Sequence, residues 1–400
     1  MKTILAIIAS LCVSITTAAA ADTSMHDAIT IAAVGDLMLG GRTEPFLKEF
    51  GPAYPFTEVM STLGTADVVV GNLESPISLR GKAVENKKFT LRAGPIAAHA
   101  LRQAGIRVVT LANNHSMDFG PLSLEDTLAA LDEDGILFTG AGMNLDDARS
   151  PALLKIKGKT LAFLSYSLTF PLEFFASENR PGTAPGYSDF VKTDIEKIRP
   201  LADLVIVSFH WGAELMTAAK DYQVELGHQA IDWGADLVLG HHPHVLQELE
   251  IYKGRLIAYS LGNFVFGSES NRTNTSMILL LTFQDNKLVR AEAVPLDVNN
   301  YRVKYRPHVL SGPAAFEALD GVNKASARFR TQLAIENDRG ILALTPVGKT
   351  RNLEGGRASF PVDRSDAPAT SNTVTFRPRT ESTVPAPGNS PQTSSSTVAP

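Results

Sequence analysis

Between about residues 28 and 300, short runs rich in Val, Ile and Leu alternate with amphipathic stretches, and no other feature narrows the fold as much. A run of four to eight aliphatic residues suits a strand buried on both faces; apolar residues spaced three and four apart suit a helix covering one such face. Regular alternation of the two marks βα units around a mostly parallel buried sheet, hence the α/β class. The apolar runs predict strands at 29–34, 67–70, 107–111, 160–165, 204–209, 237–239 and 256–259. Helices are predicted at 96–104, 122–134, 193–201 and 223–233, with Gly105, Gly135 and Gly234 as helix stops. Runs 277–283 and 288–296, parted by Gln284-Asp285-Asn286-Lys287, read as a hairpin completing the sheet.

The ends of the chain have a different character. Lys2, an apolar run over 4–15 and the small residues Ala18-Ala19-Ala20 form a signal-peptide pattern with cleavage expected after Ala20. The alternative is an uncleaved N-terminal anchor, and either places the domain outside the cytoplasmic membrane, periplasmic or secreted. Cys12, the one cysteine, lies inside that run, so the processed chain has no thiol and any metal must be held by nitrogen and oxygen. Residues 301–350 are expected to be an extension packed on the 28–300 domain, with a helix near 314–333. Residues 351–400, rich in Ser, Thr and Pro, are expected to be a disordered tail. A hydrophobic fraction of 44% excludes wholesale disorder, and a net charge of −5 without a basic run excludes a nucleic-acid partner.

Chemistry gathers where the predicted strands stop. Asp36 follows the first; Asn72 and Glu74 the second; Asn113, Asn114, His115 and Asp118 the third; then come His210, and finally His241, His242 and His244. The carboxyl ends of parallel strands form one edge, so these five motifs converge on a shared crevice. Taken singly, each polar residue at a strand end has the plainer reading of a turn or a cap. The histidines decide the matter, since five of the nine in the chain sit at three of these ends. Imidazole, carboxylate and amide oxygen suit divalent cations such as Mn, Fe or Zn, with Glu74 able to bridge two of them.

The blocks GDLMLGGR (35–42), GNLESP (71–76), LANNHSMDFG (111–120), HWGAE (210–214), GADLVLGHHPHVLQ (234–247) and YSLGNFVF (259–266) resemble the CapA-type capsule and poly-γ-glutamate synthesis proteins. That family is a branch of the calcineurin-like metallophosphoesterase superfamily, and the resemblance spans about residues 30–267. It implies an α/β fold with a layered β-sheet core flanked by helices. It also implies that Asp36 and His244 serve a first metal, that Glu74 bridges, and that Asn114, His210 and His242 serve a second, with one or two cations bound. His241 is the alternative to His242 if the loop register differs. His115 stands where the superfamily has its general acid or phosphate-contacting histidine, and Arg42 and Asn263 are candidates for contacting an anionic substrate. The superfamily's first motif is Asp-x-His, whereas here Asp36 is followed by Leu37 and Met38, which removes one ligand. The implied partners are an anionic polymer or phosphorylated substrate and a membrane synthesis complex. Three roles follow: a hydrolase of a phosphoester or γ-glutamyl amide serving polymer synthesis, a periplasmic phosphoesterase, and a non-catalytic polymer-binding accessory.

Overall fold

The computed structural model describes residues 27–267, 270–344 and 379–380. The expected signal peptide and most of the expected tail lie outside the described residues. Among the described residues no helix is long and apolar enough to cross a membrane.

The strands form two large sheets, the layered core that the family resemblance implies, where the βα alternation by itself points to one. The first has ten strands, with a path of Leu333–Glu336, Arg339–Leu342, Lys287–Asp297, Thr275–Gln284, Ile29–Met38, Val68–Leu73, Ile106–Thr110 and Leu137–Thr139; Asn263–Phe266 pairs with Ile29–Met38, and His308–Val309 with Lys287–Asp297. The second has seven, in the order Leu249–Tyr252, Arg255–Ala258, Leu237–His241, Leu204–His210, Lys159–Ser167, Ala152–Ile156 and Arg379–Thr380. The central strands of each sheet run parallel, as the βα alternation requires.

Period-two alternation explains why the sheets stack. Ile29, Ile31, Val68, Val70 and Val108 of the first sheet share one apolar core with Leu161, Phe163, Leu204, Ile206, Leu237 and Leu239 of the second. The intervening residues point outward under helices. Val69 and Val109 pack beneath Ile96–Gln103 and Pro121–Glu133, while Val205, Val207 and Val238 pack beneath Ser188–Ile198 and Asp221–Trp233. The result is helix, sheet, sheet, helix: the α/β class with a layered sheet core flanked by helices. Fully burying each Val, Ile or Leu is worth roughly 1.5–3 kcal/mol, so the register that keeps both faces apolar is strongly fixed.

The central strands of the second sheet are those expected at 160–165, 204–209, 237–239 and 256–259; its flanking strands Ala152–Ile156 and Leu249–Tyr252 were not expected, because they are short and carry charge, as Lys155 and Glu250 illustrate. The hairpin between Thr275–Gln284 and Lys287–Asp297 turns at Asp285 and Asn286, both at positive φ, as a two-residue turn requires. The helix expected near 314–333 runs Gly312–Ser326 and ends early. Beyond it, Leu333–Glu336 and Arg339–Leu342 extend the first sheet, so 301–344 is built into the core rather than only laid upon it.

Candidate metal centre

Polar residues at the strand ends inherit the direction of their strands. On Leu204–His210, Leu204 and Ile206 face between the sheets, and so therefore does His210; on Leu237–His241 the same parity carries His241 inward. Val68 and Val70 likewise set Asn72. The first strand needs a correction to its parity, because plain alternation from Ala33 would turn Asp36 outward. A register shift between Ala33 and Asp36 inserts one extra residue, so Leu37 joins the outer core and Asp36 faces the crevice. Gly35 permits this, for a Cβ there would stand 2.0 Å from the Gly262 carbonyl oxygen. That carbonyl accepts the Asp36 N–H at 2.9 Å.

The crevice is carboxylate-centred: Asp36 and Glu74 are fully buried and His210 nearly so. Asn72 donates through Nδ2 to Asp36 Oδ1 at 2.9 Å, and its Oδ1 accepts from Asn113 at 3.0 Å. Asn113 is a brace, its Oδ1 accepting the backbone N–H groups of His115 and Ser116, whereas Asn114 Oδ1 lies 2.7 Å from His210 Nε2. Glu74 Oε1 is 3.6 Å from both His210 Nε2 and His244 Nε2, and 3.9 Å from His115 Nε2. It has no hydrogen-bond partner, and neither has the buried Nδ1 of His242. Two sets of donor atoms therefore gather within 4.8 Å: Asp36, Glu74 and His244, and Glu74, His210 and His242, with Glu74 common to both.

The loop carrying the histidines is strained. His242 has φ +96° although Pro243 follows, and His244 has φ +58°. Such conformations persist where surroundings impose them. Here the His242 N–H donates to Asp36 Oδ2 at 3.3 Å, and the Leu215 N–H to Pro243 O at 2.8 Å. His241 and His242 thus do different things: His241 Nδ1 lies 3.1 Å from Asp36 Oδ1, while His242 faces the Glu74 set.

Electrostatics divide the histidines. Burial, with charge on His242 adding to it, holds His210 well below the usual imidazole range; burial and then His244 bring His242 down to about 3. Both keep their lone pairs at neutral pH. Burial also disfavours charge on His244, but the Glu74 and Asp36 carboxylates and the hydrogen bonds to Asp36 and Asn263 prevail and push it up to about 10. Burial raises the Glu74 carboxyl well above its usual range. In Asp36 the burial effect is overturned by hydrogen bonds and charge from His241 and His244, leaving it well below.

Of the remaining predicted residues, Asn263 joins this cluster. Asn263, aligned with Asp36 across a parallel bridge, accepts from His244 Nδ1 at 2.9 Å, so it steadies a histidine. Arg42 is exposed in the turn leaving the first strand. Met38 is buried opposite Phe266, whose ring packs 4.9 Å from that of His244; an apolar wall occupies the place where Asp-x-His would put a ligand.

Sequence reasoning assigned no role to Asn72, Asp118 or Lys87. His115 Nδ1 lies 2.6 Å from Asp118 Oδ2, which also accepts the Leu91 N–H at 2.6 Å. Lys87 donates to Asp118 Oδ1, and to Asn114 O at 2.6 Å. Asn72 and Asp118 carried a signal in their strand-end positions. Lys87 carried none, since it comes from an irregular loop with no periodicity.

Comparison with known proteins assigns the chain to a family. The profile of the family described as bacterial capsule synthesis protein PGA_cap matches residues 30–268. The chain belongs to that family. It is 34% identical to the capsule biosynthesis protein CapA of Bacillus anthracis over 280 residues, 68% of each chain. It is 33% identical to the PGA biosynthesis protein CapA of Bacillus subtilis (strain 168), covering 69% of this chain and 73% of that one. A probable polyglutamine synthesis accessory protein of Mycobacterium tuberculosis is 32% identical, covering 63% and 72%. Among solved structures, the NAD nucleotidase of Haemophilus influenzae aligns with 74% of this chain and 62% of its own at 11% identity and a TM-score of 0.41. A 5'-nucleotidase precursor of Thermus thermophilus aligns with 77% and 61% at 12% identity and a TM-score of 0.42. Likenesses that distant add nothing to the site's chemistry.

Proposed function

We propose that this PGA_cap-family chain acts outside the cytoplasmic membrane in the synthesis or processing of an anionic envelope polymer of the capsule or poly-γ-glutamate kind, through a metal-dependent hydrolase-type site. The names of the Bacillus relatives support the polymer, and the signal-like N-terminus supports export. The site reading rests above all on Glu74, a fully buried carboxylate whose Oε1 has no hydrogen-bond partner and is common to two sets of donor atoms. An unpaired buried carboxylate oxygen is costly, and a shared cation on either side removes that cost.

The donors fit divalent cations. Asp36, Glu74 and His244 would hold one; Glu74, His210 and His242, joined by the Asn114 side-chain oxygen, would hold the other. Bound there, the cations supply Lewis-acid activation of water and stabilise negative charge developing on the substrate. His210 and His242 present neutral nitrogens, while Asn72 and His241 fix the orientation of Asp36. His115 points Nε2 toward the cluster, with Nδ1–H tied to Asp118, so that free nitrogen is placed to take a proton from the attacking water and pass it to the leaving group of a phosphoester or γ-glutamyl amide.

Purified protein incubated with Mn²⁺, Fe²⁺ or Zn²⁺ and either poly-γ-glutamate or a phosphodiester tests the reading. Cation-dependent cleavage is expected, reduced about 10²–10⁴-fold in His115→Ala. Absence of cation-dependent turnover on both substrates sinks the hydrolase. The Asn114-His115 pair at the cluster also favours the phosphoesterase reading, which turnover of the phosphodiester alone would select.

A further inference from the structure

The edge of the seven-stranded sheet is occupied by a segment distant in sequence. Arg379–Thr380 lies parallel to Ala152–Ile156, with Arg379 aligned to Ala152 and Thr380 to Leu153, and the Arg379 N–H donates to Pro151 O at 3.3 Å. The Arg379 side chain enters a slot at the flank of the sandwich, beside the edge strand Leu137–Thr139 of the first sheet. Its guanidinium lies 3.9 Å from the Phe138 ring centroid and donates to Phe138 O at 3.3 Å and Ala141 O at 3.5 Å. Burial lowers the Arg379 guanidinium from its usual range, and the charges of Asp132 and then Asp147 partly oppose that shift.

This combination is selective. A planar guanidinium can stack on an aromatic face while its edge donates to two carbonyls; an ammonium cannot do both. The paired backbone adds recognition independent of side chains, the mode by which extended peptides add to sheet edges. An unpaired edge strand invites pairing with other chains, so covering Ala152–Ile156 also removes an aggregation risk.

We propose that Ala152–Ile156 together with the Phe138 ring and the carbonyls of Phe138 and Ala141 is a strand-addition site for an arginine-bearing extended segment, and that its resident occupant is this chain's own segment at Arg379. Arg379–Thr380 is thereby latched to the two-sheet domain in cis. This inference is independent of the metal centre.

Hydrogen–deuterium exchange of the full chain tests it, comparing wild type with Arg379→Glu and Arg379→Lys. In wild type, peptides containing Arg379 and those spanning 137–156 are expected to be protected. Arg379→Glu should speed exchange in both about tenfold or more, with Arg379→Lys intermediate and the 204–210 strand unchanged as a control for the fold. Unprotected exchange at Arg379 in wild type, or no change over 137–156 in Arg379→Glu, overturns the latch. Protection that grows with protein concentration would assign the occupant to a second copy and likewise overturn the latch in cis.

Discussion

Asp118→Asn removes one charge and almost no volume, yet it should change the chemistry of a different residue. Three donors converge on the Asp118 carboxylate: His115 Nδ1 and the Leu91 N–H on Oδ2, and Lys87 Nζ on Oδ1. A carboxylate can accept from all three; an amide offers one accepting oxygen and one donating nitrogen. The Lys87 ammonium has no lone pair, so the amide oxygen must turn toward it and the amide nitrogen toward His115. His115 can meet a donor only by moving its own proton from Nδ1 to Nε2, while the Leu91 N–H loses its acceptor. The Leu91 N–H loses a bond to a charged acceptor outright while Lys87 and His115 keep bonds to a neutral amide, so the fold should lose about 1.5–3 kcal/mol. Long-range ¹H–¹⁵N correlation, with His115→Gln to assign the ring, should show Nδ1–H in wild type and Nε2–H in the variant; denaturant unfolding gives the stability. An Nδ1–H tautomer that survives in Asp118→Asn, or a loss below about 1 kcal/mol, would refute the reasoning.

Three further outcomes follow from the geometry. Asp194 and Arg149 form a buried bidentate pair, at 2.9 and 2.7 Å, that Tyr166 joins at 3.0 Å; Asp194→Ala should cost about 3–5 kcal/mol in denaturant unfolding, and Arg149→Met with Asp194→Leu far less. His244, raised to about 10 without metal, must release its proton when a cation binds, so calorimetry in buffers of different ionisation enthalpy should show about one proton released at pH 7 and affinity rising about tenfold per pH unit toward that value, both lost in His244→Gln. In the metal-free chain the same group contributes its full stability below its unfolded value of about 6.5 and loses it as pH rises toward about 10. Gly240→Ala puts a Cβ 1.9 Å from Tyr259 O beside the histidine loop, and thermal unfolding should show a loss of at least about 3 kcal/mol.

Much of this was legible in the sequence because strand parity and strand ends are local properties. Leu204, Ile206 and His210 share a face by spacing alone, and the crevice follows from placing such ends on one sheet edge. The bulge before Asp36 was not legible, since it depends on the Gly262 turn crossing Gly35 from more than two hundred residues away. The flanking strands Ala152–Ile156 and Leu249–Tyr252 of the second sheet were hidden because they are short and partly charged. Lys87 was hidden because its position is imposed by the Asp118 hub, with Leu91 and Val84 fixing the loop's path by backbone bonds to the same residue. His241 and His242 could not be separated by sequence, because their different tasks arise from the positive φ at His242.

Glu74, common to the two sets of donor atoms, is the residue on which both cations would depend. Elemental analysis of the purified chain, wild type against single alanine variants, reads this without any assay of turnover. The prediction is two divalent cations per chain in wild type, one after loss of His244, one after loss of His210 or His242, and none in Glu74→Ala. A wild-type chain without bound metal, or Glu74→Ala with its metal content unchanged, would contradict it.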